Sequence, residues 1–268
     1  MRAPTKKHMI LRPVRPNVGL EAHYRRELEK LVDEMNKSIE YWLTAAYRAH
    51  PPQLAQDDIL PANALRDTIK SLTSRWQSRF DKAAKDLAKY FGQAMKDRSD
   101  KQLRQILKDG GFSIEFVMTK PMRDVMNATI AEQVGLIRNL SQSHLSEIEG
   151  LVMRSVTKGG DLGTLTKELR KRYGMTRRRA ALIARHQNSI ATATMNRVRQ
   201  NELGITEAIW VHSHGGAKPR PEHVAWGAKA KRYKIAKGMW SEVDGAYVWP
   251  GTAINCRCVC RSIILGFA

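Results

Sequence analysis

The cysteines of this chain are confined to one short segment near its C-terminus. Cys256, Cys258 and Cys260 are spaced by single residues within WPGTAINCRCVCRSII, and the sequence contains no other cysteine. The apolar, β-branched end of this segment predicts a strand, and residues two apart on a strand share a face. We therefore expect a stripe of three thiols on one face of a C-terminal strand.

Two kinds of chemistry fit such a stripe. Cα atoms two residues apart in an extended chain are separated by about 6.5 Å, at the far edge of disulfide geometry, so we expect the thiols to be reduced. Reduced thiols pack as an apolar strand face, or they bind a metal ion together with histidines from elsewhere in the chain. Spacing alone leaves both interpretations open.

The composition indicates a folded, basic protein. The chain has 268 residues, of which 42% are hydrophobic, enough for a core. Lys and Arg number 46 against 26 Asp and Glu, a formal net charge of +20, which favours a polyanionic partner such as nucleic acid, or else a well-solvated basic surface. No apolar run is long enough to span a membrane and the N-terminus lacks a typical secretion signal, so we expect neither a membrane partner nor secretion.

Hydrophobic periodicity predicts a mainly helical chain. Residues 1–20 combine prolines with basic residues, which predicts an extended basic arm. Apolar residues at three- and four-residue steps then predict helices at 21–49, 63–94, 121–140, 144–155, 165–172 and 176–204, with a short separate segment at 101–107. Gly174 marks the turn before the last helix and Thr176 its cap. The face of this helix opposite its apolar stripe carries Arg178, Arg185 and Arg199.

The pattern changes at Ile205, where short strand candidates begin to alternate with glycine-rich turns. The candidate strands are ITEAIWVHS, GAYVWPG and CRCVCRSII. The predicted fold class is mainly α with a small C-terminal α+β module, that is, an elongated helical body followed by a compact β-containing domain. The expected segments are a basic extended arm at 1–20, a helical N-terminal region at 21–110, a helical core at 111–204 and a small α+β module at 205–268.

Several motifs follow one another between residues 121 and 266. They are ALIARHQNSIATATMNRVRQNELGITEAIWVHS, then KPRPEH, then PGTAINCRC and a closing apolar strand. This order resembles the Mu F-like phage head morphogenesis proteins, also called minor head proteins. The resemblance covers about residues 121–266, roughly the C-terminal half of the chain. The most specific element is the pairing of RPEH at 220–223 with NCRC at 255–258. The resemblance implies a structural motif formed by Arg220, His223, Asn255, Cys256 and Cys258.

The resemblance also bears on metal binding. In other members of the family, cysteine pairs replace the arginine and histidine of the first motif and form a cluster that looks zinc-binding. This chain retains His223, Cys256 and Cys258 as candidate zinc ligands. A fourth ligand would have to come from His212, His214 or Cys260, because a structural zinc site takes about four ligands. In the alternative, Arg220 and His223 hydrogen-bond the backbone around Asn255 while the cysteines pack inward without a metal ion.

Two clusters of basic residues predict contact with the DNA backbone without base recognition. The clusters are Arg177, Arg178 and Arg179, and Lys229, Lys231, Arg232 and Lys234. The second cluster lies beside three aromatic residues, Trp226, Tyr233 and Trp240. In the alternative interpretation, the aromatic residues form the core of the small module and the lysines are its solvated rim.

The resemblance implies a structural minor head protein of a tailed bacteriophage. Such a protein is associated with the portal vertex or capsid interior of the virion, after assembly in the host cytoplasm, and aids head assembly and the handling of packaged double-stranded DNA. The implied partners are the portal protein and a capsid or scaffolding protein. The alternative is a free, non-specific DNA-binding accessory protein of packaging. We expect no enzyme, since Glu222 is the only acid between Val211 and Trp240 and two-metal hydrolytic sites depend on carboxylates.

Overall fold

A computed structural model describes residues 8–49, 60–157, 162–216 and 218–266. Residues 1–7 of the predicted basic arm lie outside the described residues. The elements in chain order are β1 (His8–Ile10), α1 (Val18–Ala49), α2 (Leu60–Asp109), α3 (Lys120–Thr157), α4 (Leu162–Glu202), β2 (Glu207–Val211), α5 (Pro221–Ala228), β3 (Arg232–Lys234), β4 (Met239–Ser241), β5 (Ala246–Val248) and β6 (Val259–Leu265). The predicted fold class, helices followed by a small β-containing module, is confirmed.

The long helices are more continuous than the sequence pattern predicts. The α2 helix runs through the expected break between 94 and 101, because Phe91, Met95, Ser99 and Leu103 continue one buried stripe at four-residue steps. The α3 helix likewise passes through 140–144 without interruption. The predictions of separate helices there were wrong because buried polar side chains interrupt the apolar pattern without interrupting the helix.

The predicted turn at Gly174 is also wrong, since α4 is continuous from Leu162 to Glu202. The Thr176 hydroxyl does not cap a new helix. It lies 3.1 Å from the carbonyl oxygen of Arg172, one turn back within the same helix. A glycine inside a helix costs about 1 kcal/mol relative to alanine, which packing along the rest of α4 offsets.

Local capping explains where α1 begins. The Asn17 side chain accepts a hydrogen bond from the backbone N–H of Leu20 at 2.8 Å, so the helix starts at Val18 rather than at the predicted Glu21. Among the described residues, no helix combines the length and the apolar character needed to cross a membrane.

The chain divides into two compact units, and each of the four long helices contributes residues to both. The helical unit contains the described residues within Ala22–Lys89 and Ala131–Ala184. The sheet unit contains those within Met1–Glu21, Tyr90–Ile130 and Arg185–Ala268. These units cut across the four segments expected from sequence.

The helical unit is a bundle of four helix segments. Its core includes the α1 residues Tyr24, Leu28, Val32, Met35, Ile39 and Leu43, all buried at three- and four-residue steps. Polar contacts at its rim connect the segments, such as the hydrogen bond from the Tyr173 hydroxyl to Asp33 at 2.8 Å and the ion pair of Arg138 with Asp81 at 2.6 Å. The packing of buried apolar helix faces therefore stabilises this unit.

The sheet unit is built on a four-stranded antiparallel sheet of order β1-β6-β2-β3. The central strand β2 pairs Trp210 with Cys260 and Val211 with Val259 of β6. Strand β1, from the predicted basic arm, pairs with the other edge of β6. Strands β4 and β5 form a separate two-stranded hairpin. The chain's first and last described strands are therefore adjacent in one sheet.

The core of this sheet is centred on Trp210, which is fully buried. Its ring makes edge contacts with His223, Trp226 and Tyr233, at centroid distances of 4.8, 4.8 and 6.2 Å. Ala208 is buried on the same face of β2, as the two-residue period of a strand requires. Among the described residues of this module, the aromatic side chains other than the exposed Trp240 and Tyr247 thus serve as core.

Arg199 is the clearest departure from the helix pattern. It was expected on the polar face of the last helix, but its side chain is only 2% exposed. Its guanidinium donates two hydrogen bonds of 2.8 Å to the carboxylate of Asp100 and others to Val117 and Glu202. A buried charge is tolerated when it is paired and fully hydrogen-bonded, and a partner 99 residues away is invisible to helical periodicity.

Candidate functional site

The two motifs that are separated in sequence meet beside β2 and β6. Pro221 opens α5 as its first residue, a position that suits proline because its missing N–H needs no helical partner. Arg220, immediately before the helix, has an extended conformation, and its guanidinium donates to the carbonyl oxygen of Ile254 at 3.0 Å. One motif therefore holds the backbone of the other.

His223 lies in the first turn of α5 and is 2% exposed. Its Nδ1 atom lies 3.5 Å from the sulfur of Cys256 and 3.8 Å from that of Cys258. The imidazole ring stacks on Trp226, with centroids 5.3 Å apart, and meets Trp210 edge-on. His223 thus contacts the cysteine sulfurs rather than the backbone around Asn255 that the metal-free alternative specified.

Strand β6 begins at Val259, so Cys256 and Cys258 precede it. Asn255 has a left-handed conformation with φ of 57°, which asparagine tolerates better than most residues. Its backbone N–H donates to Nδ1 of His186 at 3.3 Å. This bend takes the segment out of the extended geometry that would hold the sulfurs of a C-x-C sequence apart.

The two buried thiols of this segment interact directly. A hydrogen bond from the Cys258 thiol lowers the pKa of Cys256, and the contact with His223 acts in the same direction. The same bond, followed by burial, raises the pKa of Cys258. These contacts favour a thiolate at Cys256, and thiolate is the form of cysteine that acts as a nucleophile or metal ligand.

Cys260 does not belong to this cluster. Its sulfur lies 3.4 Å from the side-chain nitrogen of Gln200 and 3.8 Å from that of Asn196, both on α4. Burial raises the pKa of its thiol. The expected stripe of three thiols therefore divides into a pair that faces His223 and a single thiol that packs against α4.

His212 and His214 stand beside the cluster without joining it. Nδ1 of His212 accepts a hydrogen bond of 3.2 Å from the backbone N–H of His214, and the two rings are 4.9 Å apart. Burial, and next the neighbouring His214, lowers the pKa of His212. In the described part of the chain, the only group of three or more metal-ligand side chains that converge is His223, Cys256 and Cys258.

A cavity of about 290 Å³ opens onto this group. All three members of the cluster line it. The rest of its wall includes the basic residues Lys218, Arg220 and Arg257, together with His212. An anion or a water molecule in this cavity would meet both the sulfur and imidazole groups and a positively charged rim.

Glu222 has a structural role that the sequence did not reveal. One carboxylate oxygen accepts hydrogen bonds from the backbone N–H groups of Glu242 and Val243, and the other accepts one from the Ser241 hydroxyl at 2.8 Å. This acid therefore anchors the turn of the β4–β5 hairpin. No local signal identifies it, because its partners lie about twenty residues downstream.

The basic residues expected to contact DNA fall in both units. Arg177, Arg178 and Arg179 are exposed on α4 in the helical unit. Arg177 forms ion pairs with Glu29 and Asp33, and Arg179 donates to Asn139. The two carboxylates partly neutralise Arg177, and the hydrogen bond to Asn139 occupies a donor of Arg179.

The second basic cluster lies in the sheet unit. Lys229, Lys231, Arg232 and Lys234 are all exposed, on and beside the edge strand β3. Charged residues on an edge strand also oppose aggregation, so exposure alone does not identify a DNA contact. Arg232 additionally contacts Nε2 of His8 at 3.0 Å.

Comparison with known proteins assigns the region that holds the cluster. The model of the phage Mu protein F like family matches residues 146–261. These residues are therefore similar to the phage Mu protein F like proteins, and we call them the Mu F-like domain. The Mu F-like domain includes the whole of α4, strand β2, the first three residues of β6, and every residue of the expected structural motif.

One relative is similar to this chain over most of its length. An uncharacterized protein of Haemophilus influenzae (strain Rd) is 25% identical over 256 residues, which cover 92% of this chain. The chain spans 54% of the length of that protein. No solved structure shows a significant match.

Proposed function

We propose that this chain is, or belongs to, a structural minor head protein of a tailed bacteriophage. Its partners are the portal protein and a capsid or scaffolding protein, and its place is the portal vertex or the capsid interior of the virion. The observation that carries the proposal is the Mu F-like domain at residues 146–261, a family that the resemblance in sequence connects with head morphogenesis.

The contacts that the motif residues make within the domain support a structural role. Arg220 binds the carbonyl of Ile254, His223 contacts Cys256 and Cys258, and Glu222 holds a hairpin turn. Each of these groups is occupied in maintaining the domain, so we assign no catalytic role to them. The domain is in this view a stable module for attachment.

The β4–β5 hairpin is the surface of the domain that best suits a protein partner. Trp240 and Tyr247 are exposed and contact each other edge-on at 5.3 Å, and Val243 in the turn is 66% exposed. Aromatic side chains supply much of the binding energy at protein interfaces. We propose that this hairpin contacts the portal or capsid subunit.

The net charge of +20 supports a position close to packaged DNA. Positive charge lowers the free energy of a protein beside a dense polyanion, and it needs no base-specific contact. The exposed basic residues along β3 would supply such non-specific contacts.

Quantitative mass spectrometry of purified phage particles tests the proposal. We expect a few copies of the protein per particle, comparable with the number of portal subunits, both in mature particles and in heads emptied of DNA. Absence of the protein from both kinds of particle, while it is present in the infected cell, would contradict the proposal and favour the free packaging accessory protein.

A paired substitution tests the proposed hairpin surface in the same assay. Trp240→Ser with Tyr247→Ser should reduce incorporation at least tenfold without unfolding the protein. The matched control replaces Tyr41 and Trp42 by serine, since this second exposed aromatic pair lies on α1, outside the Mu F-like domain. Equal loss of incorporation for both double variants would contradict the assignment of the hairpin.

A further inference from the structure

The side chains of His223, Cys256 and Cys258 converge inside the sheet unit. Their ligand atoms, one imidazole nitrogen and two sulfurs, all lie within 4.8 Å of one another. The three residues are 2%, 5% and 4% exposed, respectively. Three side chains of the types that bind soft divalent metal ions therefore converge in one buried place.

The distances match those of a tetrahedral metal site. With Zn–S and Zn–N bonds of about 2.3 and 2.1 Å, a tetrahedral ion separates its sulfur and nitrogen ligands by about 3.6 Å. Nδ1 of His223 lies 3.5 Å from Cys256 Sγ and 3.8 Å from Cys258 Sγ. Both nitrogen–sulfur separations are thus close to the value that zinc imposes.

The imidazole ring is held in the orientation that such a site needs. Trp226 stacks on it and Trp210 meets it edge-on. Within the described part of the chain, Nε2 of His223 is buried without a hydrogen-bond partner. The polar contacts of this ring are therefore directed through Nδ1 at the two sulfurs.

Charge balance also favours a divalent ion. Two thiolates and a neutral imidazole carry a charge of −2, which one divalent cation neutralises. On the side away from the cavity the surroundings are apolar, since both cysteines belong to the core cluster that contains Trp210, Ile235 and Val248. A buried group with no net charge costs far less free energy there than an isolated thiolate.

We infer that His223, Cys256 and Cys258 bind one zinc ion, whose fourth coordination position faces the cavity beside them. No fourth His, Cys, Asp or Glu of the described residues joins the cluster, whereas all three ligands line that cavity. A water molecule from the cavity completes the tetrahedron. Cys260 is not a ligand, since its sulfur contacts Gln200 and Asn196.

Metal analysis of the purified full chain tests this inference. After incubation with zinc under reducing conditions and removal of the excess, we expect close to one zinc per chain by elemental mass spectrometry. Cobalt substitution should produce visible absorption of a tetrahedral ion with sulfur-to-cobalt charge-transfer bands. Less than about one tenth of a zinc per folded chain would overturn the inference, as would a Cys256–Cys258 disulfide detected after reducing purification.

Matched variants locate the site. Cys258→Ser and His223→Ala should lose at least tenfold in zinc affinity, and zinc should no longer raise their melting temperature. Cys260→Ser and His212→Ala should retain one zinc per chain. Retention of wild-type zinc affinity by Cys258→Ser, or its loss in Cys260→Ser, would overturn the assignment. The cobalt spectrum of the wild-type chain decides the question even if a variant does not fold. The result of these zinc measurements does not depend on whether the protein is incorporated into phage heads.

Discussion

Arg199 and Asp100 form a bidentate ion pair in the interior of the sheet unit, with two hydrogen bonds of 2.8 Å. Their side chains are only 2% and 7% exposed. The remaining donors of the guanidinium reach Val117 and Glu202, and its charge lies over the ring of Phe116. The arginine therefore joins α4 to the end of α2 and to the segment that follows it.

Removing one partner of this pair should be strongly destabilising. Arg199→Ala leaves the buried Asp100 carboxylate with only the longer ion pair to Lys96, at 3.5 Å. We therefore expect a loss of about 3–5 kcal/mol in the free energy of unfolding. Urea denaturation followed by circular dichroism measures it. Arg178→Ala, on an exposed part of the same helix, should change stability by less than about 0.5 kcal/mol.

A double variant separates the charge from the packing. Arg199→Met combined with Asp100→Leu should be more stable than Arg199→Met alone, because it buries no unpaired charge. If both variants were equally stable, the ion pair would not be the reason for the loss.

His144 should make the stability of the helical unit depend on pH. It is buried on α3, with Nδ1 2.8 Å from the Thr176 hydroxyl, and burial lowers its pKa to about 4. An unfolded histidine titrates near pH 6.5, so between about pH 6.5 and 4 the unfolded chain binds more protons than the folded one. His144 should thus reduce stability as the pH falls through this window, by up to about 3 kcal/mol.

The variant His144→Asn isolates this contribution. Asparagine retains a polar group near the position of Nδ1 but does not titrate. The unfolding free energy of the wild type, relative to that of the variant, should fall between about pH 7 and pH 4. A difference that stays constant across this range would show that His144 is not kept neutral by burial.

Gly227 should not tolerate a side chain. A Cβ atom there would lie 2.4 Å from Cβ of His212 and 2.9 Å from its backbone nitrogen. Because His212 directly follows β2, α5 would have to move away from the end of that strand. We expect Gly227→Ala to lower the unfolding free energy by about 1–3 kcal/mol, and thermal denaturation measures the change.

Gly135 is the matched control, since it is exposed in the middle of α3 and a methyl group added there would have no neighbouring atom within 4 Å. Gly135→Ala should stabilise the protein by about 0.5–1 kcal/mol because alanine has the higher helix propensity. The two glycine-to-alanine substitutions are therefore expected to change the unfolding free energy in opposite directions. Equal effects would contradict the close approach of α5 to β2.

DNA binding should depend on the basic residues near β3. The logarithm of the DNA-binding constant falls linearly with the logarithm of the salt concentration, and each neutralised phosphate adds close to one unit to the steepness of this line. Replacing Lys229, Lys231 and Lys234 by glutamine should therefore make the line less steep by about 2–3 units. Fluorescence anisotropy with two unrelated duplexes measures this slope, and we expect the same value for both sequences.

The control for DNA binding replaces three exposed lysines of α2, Lys82, Lys85 and Lys89, by glutamine. This variant has the same net charge as the first. An equal reduction in slope for the two triple variants would mean that the net charge, rather than a surface near β3, determines binding.

Helix positions and the small C-terminal module were predictable from local pattern, because amphipathic periodicity is a property of consecutive residues. Trp76 and Phe80, spaced as core residues of a helix, are indeed buried. The predicted breaks at 94–101 and 140–144 failed because buried polar residues such as Ser99 and His144 look like solvent-facing positions in sequence. Their surroundings come from other parts of the chain. The break predicted at Gly174 failed because packing along α4 outweighs the low helix propensity of one glycine.

Local sequence was enough to identify the family of residues 146–261, the strand that closes the module, and the types of side chain available for a metal site. Which of these side chains meet was settled by tertiary folding. The fold joins Cys256 and Cys258 to His223 and directs Cys260 to α4, and it buries Arg199 against Asp100. The physical reason is that hydrophobic patterning records which face of an element is buried, whereas the pairing of polar groups depends on the separation of atoms from distant parts of the chain.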